Sequence, residues 1–318
     1  MVVPFGPFHP TLAEPAPPPA PDYRARVDEL LSRLDRRPGE TPGMMFFRYW
    51  GTNPFVDAET DRLSTFAVDC DTASYTLMRA YLGERGILPP PEAVRTEEFI
   101  NYFKARYAPP TEEGRAFAIH VEGAPSPFAH EPGYRLLRVG LKGREVSRAE
   151  RKACALVFVV DTSGSMRQGG RLELVKDALR LLVAGLDEGD TIGIVAFSTS
   201  AREVLEPAPA SEKERILDAI SLLQPEQSTN VGQGLELGYA MAARRPIAGG
   251  SNRVILLSDG VANTGVTDPA AMLERVRSER ERGIYLTVVG VGMGNHNDAI
   301  LEQLADRGNG QCHYVDRI

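Results

Sequence analysis

The second half of the chain alternates between short apolar segments and amphipathic segments, and this alternation constrains the possible folds most. Each apolar segment carries apolar residues on both faces of an extended chain. The main ones are residues 153–160, 191–197, 254–257 and 284–291. Strands of this kind, separated by helices, predict a mostly parallel sheet with helices on both faces. We therefore expect a doubly wound α/β domain over residues 149–318.

The remaining elements of this domain follow from apolar periodicity. Amphipathic spacing predicts five helices, and shorter apolar runs predict two further strands. The expected helices are 172–186, 212–223, 231–243, 270–282 and 299–307, and the expected strands are 204–207 and 311–315. Ligands of such sheets bind at the carboxyl ends of the strands, which is where a functional site is expected.

The first half divides into two predicted parts. Eight prolines lie between Pro4 and Pro21, so residues 1–52 are expected to form a proline-rich tether with one short helix at 22–36. Residues 53–148 are expected to form a smaller α+β domain. Its predicted elements are strands 63–68, 116–121 and 134–141 and helices 73–86 and 92–107.

Two carboxylates flank a cysteine in Asp69-Cys70-Asp71-Thr72, after the predicted strand 63–68. A phosphatase with an aspartate nucleophile is one interpretation. Ala73 stands where such enzymes of the haloacid dehalogenase type need Thr or Val, and a lysine partner is not recognisable. We therefore expect Asp71 or Thr72 to cap the helix that begins near Ala73.

Composition excludes several classes of protein. The net charge of −7 argues against a protein that neutralises nucleic-acid phosphates. Three widely spaced cysteines predict neither a disulfide framework nor a thiolate zinc site. The longest apolar run, residues 153–160, is too short to cross a membrane, and the first 21 residues show no export signal.

Polar residues follow two of the predicted strands where these strands end. Asp161, Ser163 and Ser165 come after the first strand, and Asp259 follows the strand at 254–257. Thr229 precedes the helix at 231–243 and adds a third hydroxyl. Since the carboxyl ends of parallel strands share one rim, we expect these oxygens to converge. Oxygen ligands predict Mg²⁺ or Mn²⁺, and suit Ca²⁺ less well because it needs more carboxylate and carbonyl donors.

The pattern Asp161-Thr162-Ser163-Gly164-Ser165, with Thr229 and Asp259, resembles the metal-ion-dependent adhesion site of von Willebrand factor type A domains. The order of elements from about residue 151 resembles their Rossmann-like fold. The resemblance implies that Ser163, Ser165 and Thr229 ligate the metal directly. It also implies that Asp161 and Asp259 act mostly through water.

A narrower resemblance covers residues 53–318. The segments 65–75, 88–91 and 101–103 resemble the domain that precedes the A domain in the bacterial YfbK-like family. That resemblance implies a place in the bacterial cell envelope or periplasm. It also implies a helix after the last strand, which this sequence lacks, so an apolar sheet face is expected to be uncovered.

These features predict a non-enzymatic module that binds a protein partner through a divalent metal. An acidic side chain of the partner, Glu or Asp, is expected to complete the metal coordination. Two alternatives stay open: a structural scaffold of the cell envelope clamped by the metal, and a metal-dependent phosphoesterase. The sequence identifies neither the partner nor the oligomeric state.

Overall fold

The computed structural model describes residues 54–57, 59–65, 68, 70–112, 114–128, 133–226, 230–260, 269–292 and 298–315. The predicted tether and its helix at 22–36 lie outside these residues. Within the described residues two sheets are present, one of two strands and one of six.

The N-terminal elements are two helices, a 3₁₀ turn and a hairpin. They are α1 (Ala73–Arg85), the 3₁₀ turn Pro91–Ala93, α2 (Thr96–Tyr102), β1 (Phe117–Pro125) and β2 (Arg135–Gly143). Strands β1 and β2 are antiparallel, and Val121 lies opposite Val139. This is the small α+β part that the sequence predicts.

The α/β elements follow in the predicted order. They are β3 (Cys154–Asp161), the 3₁₀ segment Gly164–Gly170, α3 (Arg171–Gly185), β4 (Thr191–Phe197), β5 (Ala201–Pro209), α4 (Lys213–Ser221), α5 (Val231–Ala242), β6 (Ser251–Ser258), α6 (Pro269–Glu281), β7 (Ile284–Val291), α7 (Asp298–Arg307) and β8 (Cys312–Val315). The strand order is β5-β4-β3-β6-β7-β8. Only the β4–β5 pair is antiparallel, so the predicted mostly parallel, doubly wound fold is confirmed.

Two hydrophobic clusters lie on opposite faces of the six-stranded sheet. Phe158 and Val160 of β3 pack into one cluster with α3 and α4. Val157 and Val159 of the same strand pack into the other with α5, α6 and α7. Strand β3 is buried along its whole length. Strand β3 is therefore a central strand of the sheet, and its last residue, Asp161, lies at the carboxyl rim.

The N-terminal helices pack against the last strand of the α/β sheet. Leu77 and Tyr81 of α1 form a buried cluster with Tyr314 of β8. Arg95 pairs with Glu98, at 2.8 Å, and with Glu302 of α7. The pair between Arg95 and Glu302 joins the two parts of the chain. Because Glu98, the other partner of Arg95, is buried, this contact lies at a site that water hardly reaches.

The sheet face that was expected to be apolar and uncovered carries both apolar and polar side chains. On the α3 side of β6, β7 and β8, Ile255 and Val289 are half-buried, but the same surface carries polar groups. Arg253 donates a hydrogen bond to Thr287 at 2.5 Å and lies over the ring of Tyr285. Burial, together with the charge of Arg253, lowers the pKa of His313. This surface is therefore mixed rather than apolar.

Two of the elements predicted for the N-terminal part are wrong. The described residues of the expected strand 63–68, Leu63–Thr65 and Val68, are exposed and form no strand. The helix expected at 92–107 is a 3₁₀ turn followed by the seven residues of α2. The two elements are separated because Arg95 is extended and its amide donates to Ser74 Oγ at 3.2 Å.

The predicted cap of α1 is also wrong. Thr72 stands at the N-cap position without a side-chain capping bond, and Asp71 Oδ1 instead accepts a hydrogen bond from the amide of Cys312 at 3.3 Å. Glu98 of α2 caps the helix from outside, since its Oε2 accepts the amide of Ser74 at 2.6 Å. Asp71 thus ties α1 to β8.

Candidate metal centre

Asp161 ends β3 and is fully buried at the carboxyl rim of the sheet. Its Oδ1 accepts the amide of Ser163 at 2.8 Å, and its Oδ2 accepts the hydroxyl of Ser258 at 2.6 Å. Burial raises the pKa of Asp161 to about 6, and the nearby charge of Asp259 acts in the same direction against the hydrogen bonds from the two serines. A cation close to this carboxylate would offset the unfavourable burial of its charge.

The two serines of the loop connect the two aspartates. Ser163 Oγ lies 3.0 Å from Ser165 Oγ, and Ser165 Oγ donates to Asp259 Oδ1 at 3.0 Å. Ser163 and Asp259 are buried, whereas Ser165 is half-buried. The four side chains therefore form one chain of oxygens that reaches the surface at Ser165.

An arginine also enters this cluster. Arg171, the first residue of α3, donates from Nη1 to Asp259 Oδ2 at 2.5 Å and to the carbonyl of Ser165 at 3.3 Å. Its side chain is only 11% exposed. The stem of this side chain crosses Gly292 so closely that a Cβ there would lie 2.3 Å from Arg171 Nε. Gly292, with a φ of +73°, thus provides the space for Arg171.

Glu226 fixes the other side of the loop. Its amide donates to the carbonyl of Thr162 at 2.5 Å, and its carboxylate accepts the hydroxyl of Ser198 and pairs with Arg202. Thr162 in turn donates from Oγ1 to the carbonyl of Phe197, the last residue of β4. The loop after β3 is therefore attached to the neighbouring strand and to the segment that leads towards α5.

A third buried aspartate, Asp190, lies beside the opposite end of β3 and has a different role. It accepts the amides of Cys154 and Asp187, at 2.8 and 2.9 Å, and pairs with Arg151 at 2.8 Å. Burial alone would raise its pKa, but the bonds from Arg151 and the two amides outweigh burial and lower the pKa of Asp190 to about 2. The charge of Asp190 is thus compensated by an arginine, whereas the hydrogen bonds to Asp161 come from an amide and a hydroxyl.

Four of the five predicted site residues come together at one rim: Asp161, Ser163, Ser165 and Asp259. Thr229 lies outside the described residues. Sequence reasoning missed Arg171, Glu226 and the hydroxyl of Ser258. A basic residue in the first turn of a helix, where acidic residues are usually favoured, is the signal that could have identified Arg171.

The donor set fits a hard divalent cation. No group of three or more His, Cys, Asp and Glu side chains that could hold a metal is found among the described residues. The oxygens at this rim are two serine hydroxyls and two carboxylates, a combination that suits Mg²⁺ or Mn²⁺.

Comparison with family models identifies the family of the α/β part. The model described as von Willebrand factor type A domain matches residues 155–317, which include all of β3 but its first residue, the loop that follows β3, and β8. The chain belongs to the von Willebrand factor type A domain family. A second model, described as von Willebrand factor, matches residues 42–138. Type A domains commonly bind a divalent metal ion and often mediate metal-dependent protein binding.

Related proteins extend the comparison beyond the type A domain. Uncharacterized protein YfbK of Escherichia coli strain K12 is 39% identical over 283 residues, which cover 87% of this chain and 49% of that protein. Uncharacterized protein sll0103 of a Synechocystis strain is 33% identical over 186 residues, or 57% of this chain and 42% of the relative. The chain thus spans about half the length of these relatives or less.

Among solved structures, that of a conserved hypothetical protein, BatB from Bacteroides thetaiotaomicron, is similar to part of this chain. It is 23% identical, with a TM-score of 0.45, and the match covers 52% of this chain and 91% of BatB. No described helix of the present chain is long and apolar enough to cross a membrane.

Proposed function

We propose that this chain binds Mg²⁺ or Mn²⁺ at the rim formed by β3 and β6, and that the bound cation takes a carboxylate oxygen from an acidic side chain of a partner protein. The observation that carries the proposal is the pair of hydroxyls, Ser163 Oγ and Ser165 Oγ, which lie 3.0 Å apart between two carboxylates. The five residues that resemble the adhesion motif thus have their side-chain oxygens close together, which supports the proposal.

The proposed roles differ between hydroxyls and carboxylates. Ser163 and Ser165 would be direct ligands, and Thr229 would add a third hydroxyl. Asp161 and Asp259 would act through bound waters. Their hydrogen bonds to the serine side chains and amides support this outer position, because each carboxylate already orients a neighbouring group. A bound cation would supply positive charge and an open position for an anionic oxygen.

Charge at the rim supports an acidic rather than a neutral partner group. Arg171 pairs with Asp259, so the negative charge of that carboxylate is already partly compensated within the protein. Only Asp161 then remains as an uncompensated anion among the described groups of the site. A divalent cation held by one uncompensated carboxylate and neutral hydroxyls keeps a net positive charge, which favours a carboxylate ligand.

The same residues support a non-enzymatic role. The described side chains within hydrogen-bond distance of Asp161 and Asp259 are serines and an arginine. These groups hold ions and orient oxygens, whereas hydrolysis of a phosphoester needs a general base or a nucleophile beside the metal. We therefore propose recognition rather than catalysis.

The test measures Mn²⁺ binding and carboxylate binding separately. Isothermal titration with Mn²⁺ should give one site in the wild type and none in the double variant Ser163→Ala, Ser165→Ala. Ser147→Ala, at an exposed serine remote from the motif, is the matched control and should bind as the wild type does. Acetate then serves as the carboxylate probe, since it should displace water from the bound Mn²⁺ and lower the relaxation rate of the solvent protons.

Each other outcome points to a different function. Absence of Mn²⁺ binding in the wild type overturns the proposal. If Mn²⁺ binds but acetate displaces no water, and the double serine variant loses as much thermal stability as metal binding, the metal is a structural clamp. Mn²⁺-dependent hydrolysis of a generic phosphoester that is abolished by Asp161→Ala would instead support the phosphoesterase.

A further inference from the structure

A groove with a volume of about 730 Å³ lies between helices α5 and α6. It is lined by residues of α5 and of its N-cap on one side and by residues of α6 on the other. The apolar part of its lining comes from Leu235, Met272 and Val276. Its volume is within the range of known ligand sites, roughly 300–1,000 Å³. We call this site the helix groove.

Tyr239 of α5 lines the helix groove and carries a polar group without a partner. Its side chain is buried, with 1% exposed, and its hydroxyl has no hydrogen-bond partner among the residues that the structure describes. The ring reaches towards α6, where Glu279 and Arg275 are its charged neighbours. Burial raises the pKa of Tyr239, and the charge of Glu279 acts in the same direction, so the hydroxyl stays protonated at neutral pH. A buried donor without an acceptor is unfavourable, and an acceptor atom of a ligand would relieve this cost.

The hydroxyl can become accessible without exposing a buried charge. Arg275 lies beside it, lines the helix groove and is half exposed, so a ligand can displace this side chain. Glu279, which pairs with Arg275 at 3.1 Å, also pairs with Arg282 at 2.8 Å. Glu279 therefore keeps a cationic partner when Arg275 moves.

The charges along the helix groove favour a cationic ligand. Glu274 and Glu279 of α6 are each paired with arginines of their own helix. Glu236, on the α5 side, is exposed and has no ion-pair partner in the part of the chain that the structure describes. One carboxylate at the edge of the groove thus remains uncompensated, and a positive group of a ligand would complement it.

We propose that the helix groove binds an extended segment of a partner protein in which apolar side chains alternate with lysine or arginine. An apolar side chain would lie on Leu235 and Met272, and a basic side chain would pair with Glu236. A backbone carbonyl of the segment would accept the hydroxyl of Tyr239. This site does not include the metal centre, and the proposal does not rest on metal binding.

The length of the helix groove agrees with a short segment. From Asn230 to Tyr239 the helix rises by about 14 Å, which about four extended residues cover. Asn230 caps α5, since its Oδ1 accepts the amide of Gln233 at 3.1 Å. A second copy of the chain or a small apolar molecule could also enter the groove. The uncompensated carboxylate and the unused hydroxyl favour a peptide, because it offers both a cation and carbonyl oxygens.

The test uses a tetrapeptide of alternating leucine and lysine, blocked at both ends, and the full chain labelled with ¹³C at its methionine methyl groups. EDTA is present throughout, so the result is independent of the metal proposal. The methyl signal of Met272, identified with Met272→Leu, should shift and saturate as peptide is added. The signal of Met166, which is buried beside the metal loop, should not move. A tetrapeptide of leucine and glutamate should bind at least tenfold more weakly.

Two variants test the polar contacts of the helix groove. Tyr239→Phe should raise the dissociation constant several-fold without lowering the melting temperature of the free protein, because it removes a hydroxyl that has no partner. Glu236→Gln should weaken binding of the lysine peptide. Glu214→Gln, at an exposed glutamate of α4 on the opposite face of the sheet, is the matched control and should bind as the wild type does.

Other outcomes overturn the proposal. It fails if the Met272 signal does not move, if the two peptides bind equally, or if neither variant weakens binding. If Tyr239→Phe does not fold, the exposed position Glu236 decides the result. A Met272 signal that shifts with protein concentration in the absence of peptide, together with a dimeric mass, would assign the groove to a second copy instead.

Discussion

Arg171 and Asp259 form an ion pair with an Nη1–Oδ2 distance of 2.5 Å, although 88 residues separate them in the chain. The same carboxylate accepts a hydrogen bond from Ser165 through its other oxygen. A fixed positive charge thus stands beside the oxygens that would surround a metal ion. Removal of this arginine should therefore raise the affinity for the metal and lower the affinity for an anionic partner.

Replacing Arg171 by methionine should strengthen Mn²⁺ binding. The variant removes a like charge beside the cation, and we expect the dissociation constant to fall by on the order of tenfold. Binding of acetate to the loaded site should weaken, since Asp259 is no longer compensated. Isothermal titration and solvent proton relaxation measure the two effects. Arg167→Met, at an exposed arginine of the same loop, is the control. Weaker Mn²⁺ binding in Arg171→Met would show that the arginine mainly positions Asp259.

Gly292→Ala should reproduce the effect of removing Arg171. An added Cβ would meet the stem of the arginine, and the φ of +73° is strained for alanine. We expect a loss of about 1–2 kcal/mol in the free energy of unfolding together with the metal phenotype of Arg171→Met. Gly283→Ala is a matched control because its φ is +83° and its Cβ would meet no atom within 4 Å. It should lose stability without a change in metal binding.

Asp161→Asn should abolish Mn²⁺ binding without lowering the melting temperature of the metal-free protein. The carboxylate is buried and its pKa is raised to about 6, which means that its ionised form is less stable than that of an exposed aspartate, although it still predominates at neutral pH. A neutral amide of the same shape relieves that cost. Differential scanning calorimetry with EDTA and with Mn²⁺ separates the two effects. A large fall in melting temperature with EDTA present would contradict this prediction.

Asp190→Asn should give the opposite result. It removes a carboxylate bonded to Arg151 and to two amides, and we expect a loss of about 2–4 kcal/mol in the free energy of unfolding, with Mn²⁺ binding unchanged. Urea unfolding of the wild type and the variant measures this difference. Equal stability of the two proteins at neutral pH would exclude the proposed structural role.

The contribution of Asp190 should also depend on pH. Its pKa is lowered to about 2 in the folded state, so the stabilisation is complete above the unfolded value of about 4. It is lost as the pH falls from there through about 2. The difference in unfolding free energy between wild type and Asp190→Asn should therefore be constant near neutrality and shrink in acid. A difference that grows on acidification would contradict the assigned pKa.

Much of the α/β part could be predicted because its strands are buried on both faces. Continuous apolar runs give β4 and β7 the same bounds in the sequence analysis and in the structure. The edge strand β5 extends further than the predicted 204–207 because exposed residues such as Arg202 interrupt its apolar pattern. Periodicity also fails at Arg95, where a contact with Ser74, outside the predicted helix 92–107, breaks the helix.

The metal motif could be predicted because its residues are adjacent in sequence or end a strand. Asp161, Ser163 and Ser165 lie within five positions, and parallel strands bring Asp259 to the same rim. Arg171 could not be placed in the same way. The side chain of Arg171 reaches Asp259 by passing over Gly292. Neither Arg171 nor Gly292 belongs to the motif, so the motif gives no sign of this contact.

The packing of α1 on β8 has a consequence for how the protein is made. Leu77 and Tyr81 leave the ribosome well before Tyr314, with which they are buried in the final fold. At the usual rates of synthesis the intervening chain takes roughly 10–45 s to appear. During this interval the apolar side of α1 stays exposed to other nascent chains. Docking of α1 therefore cannot be completed until β8 has been synthesised.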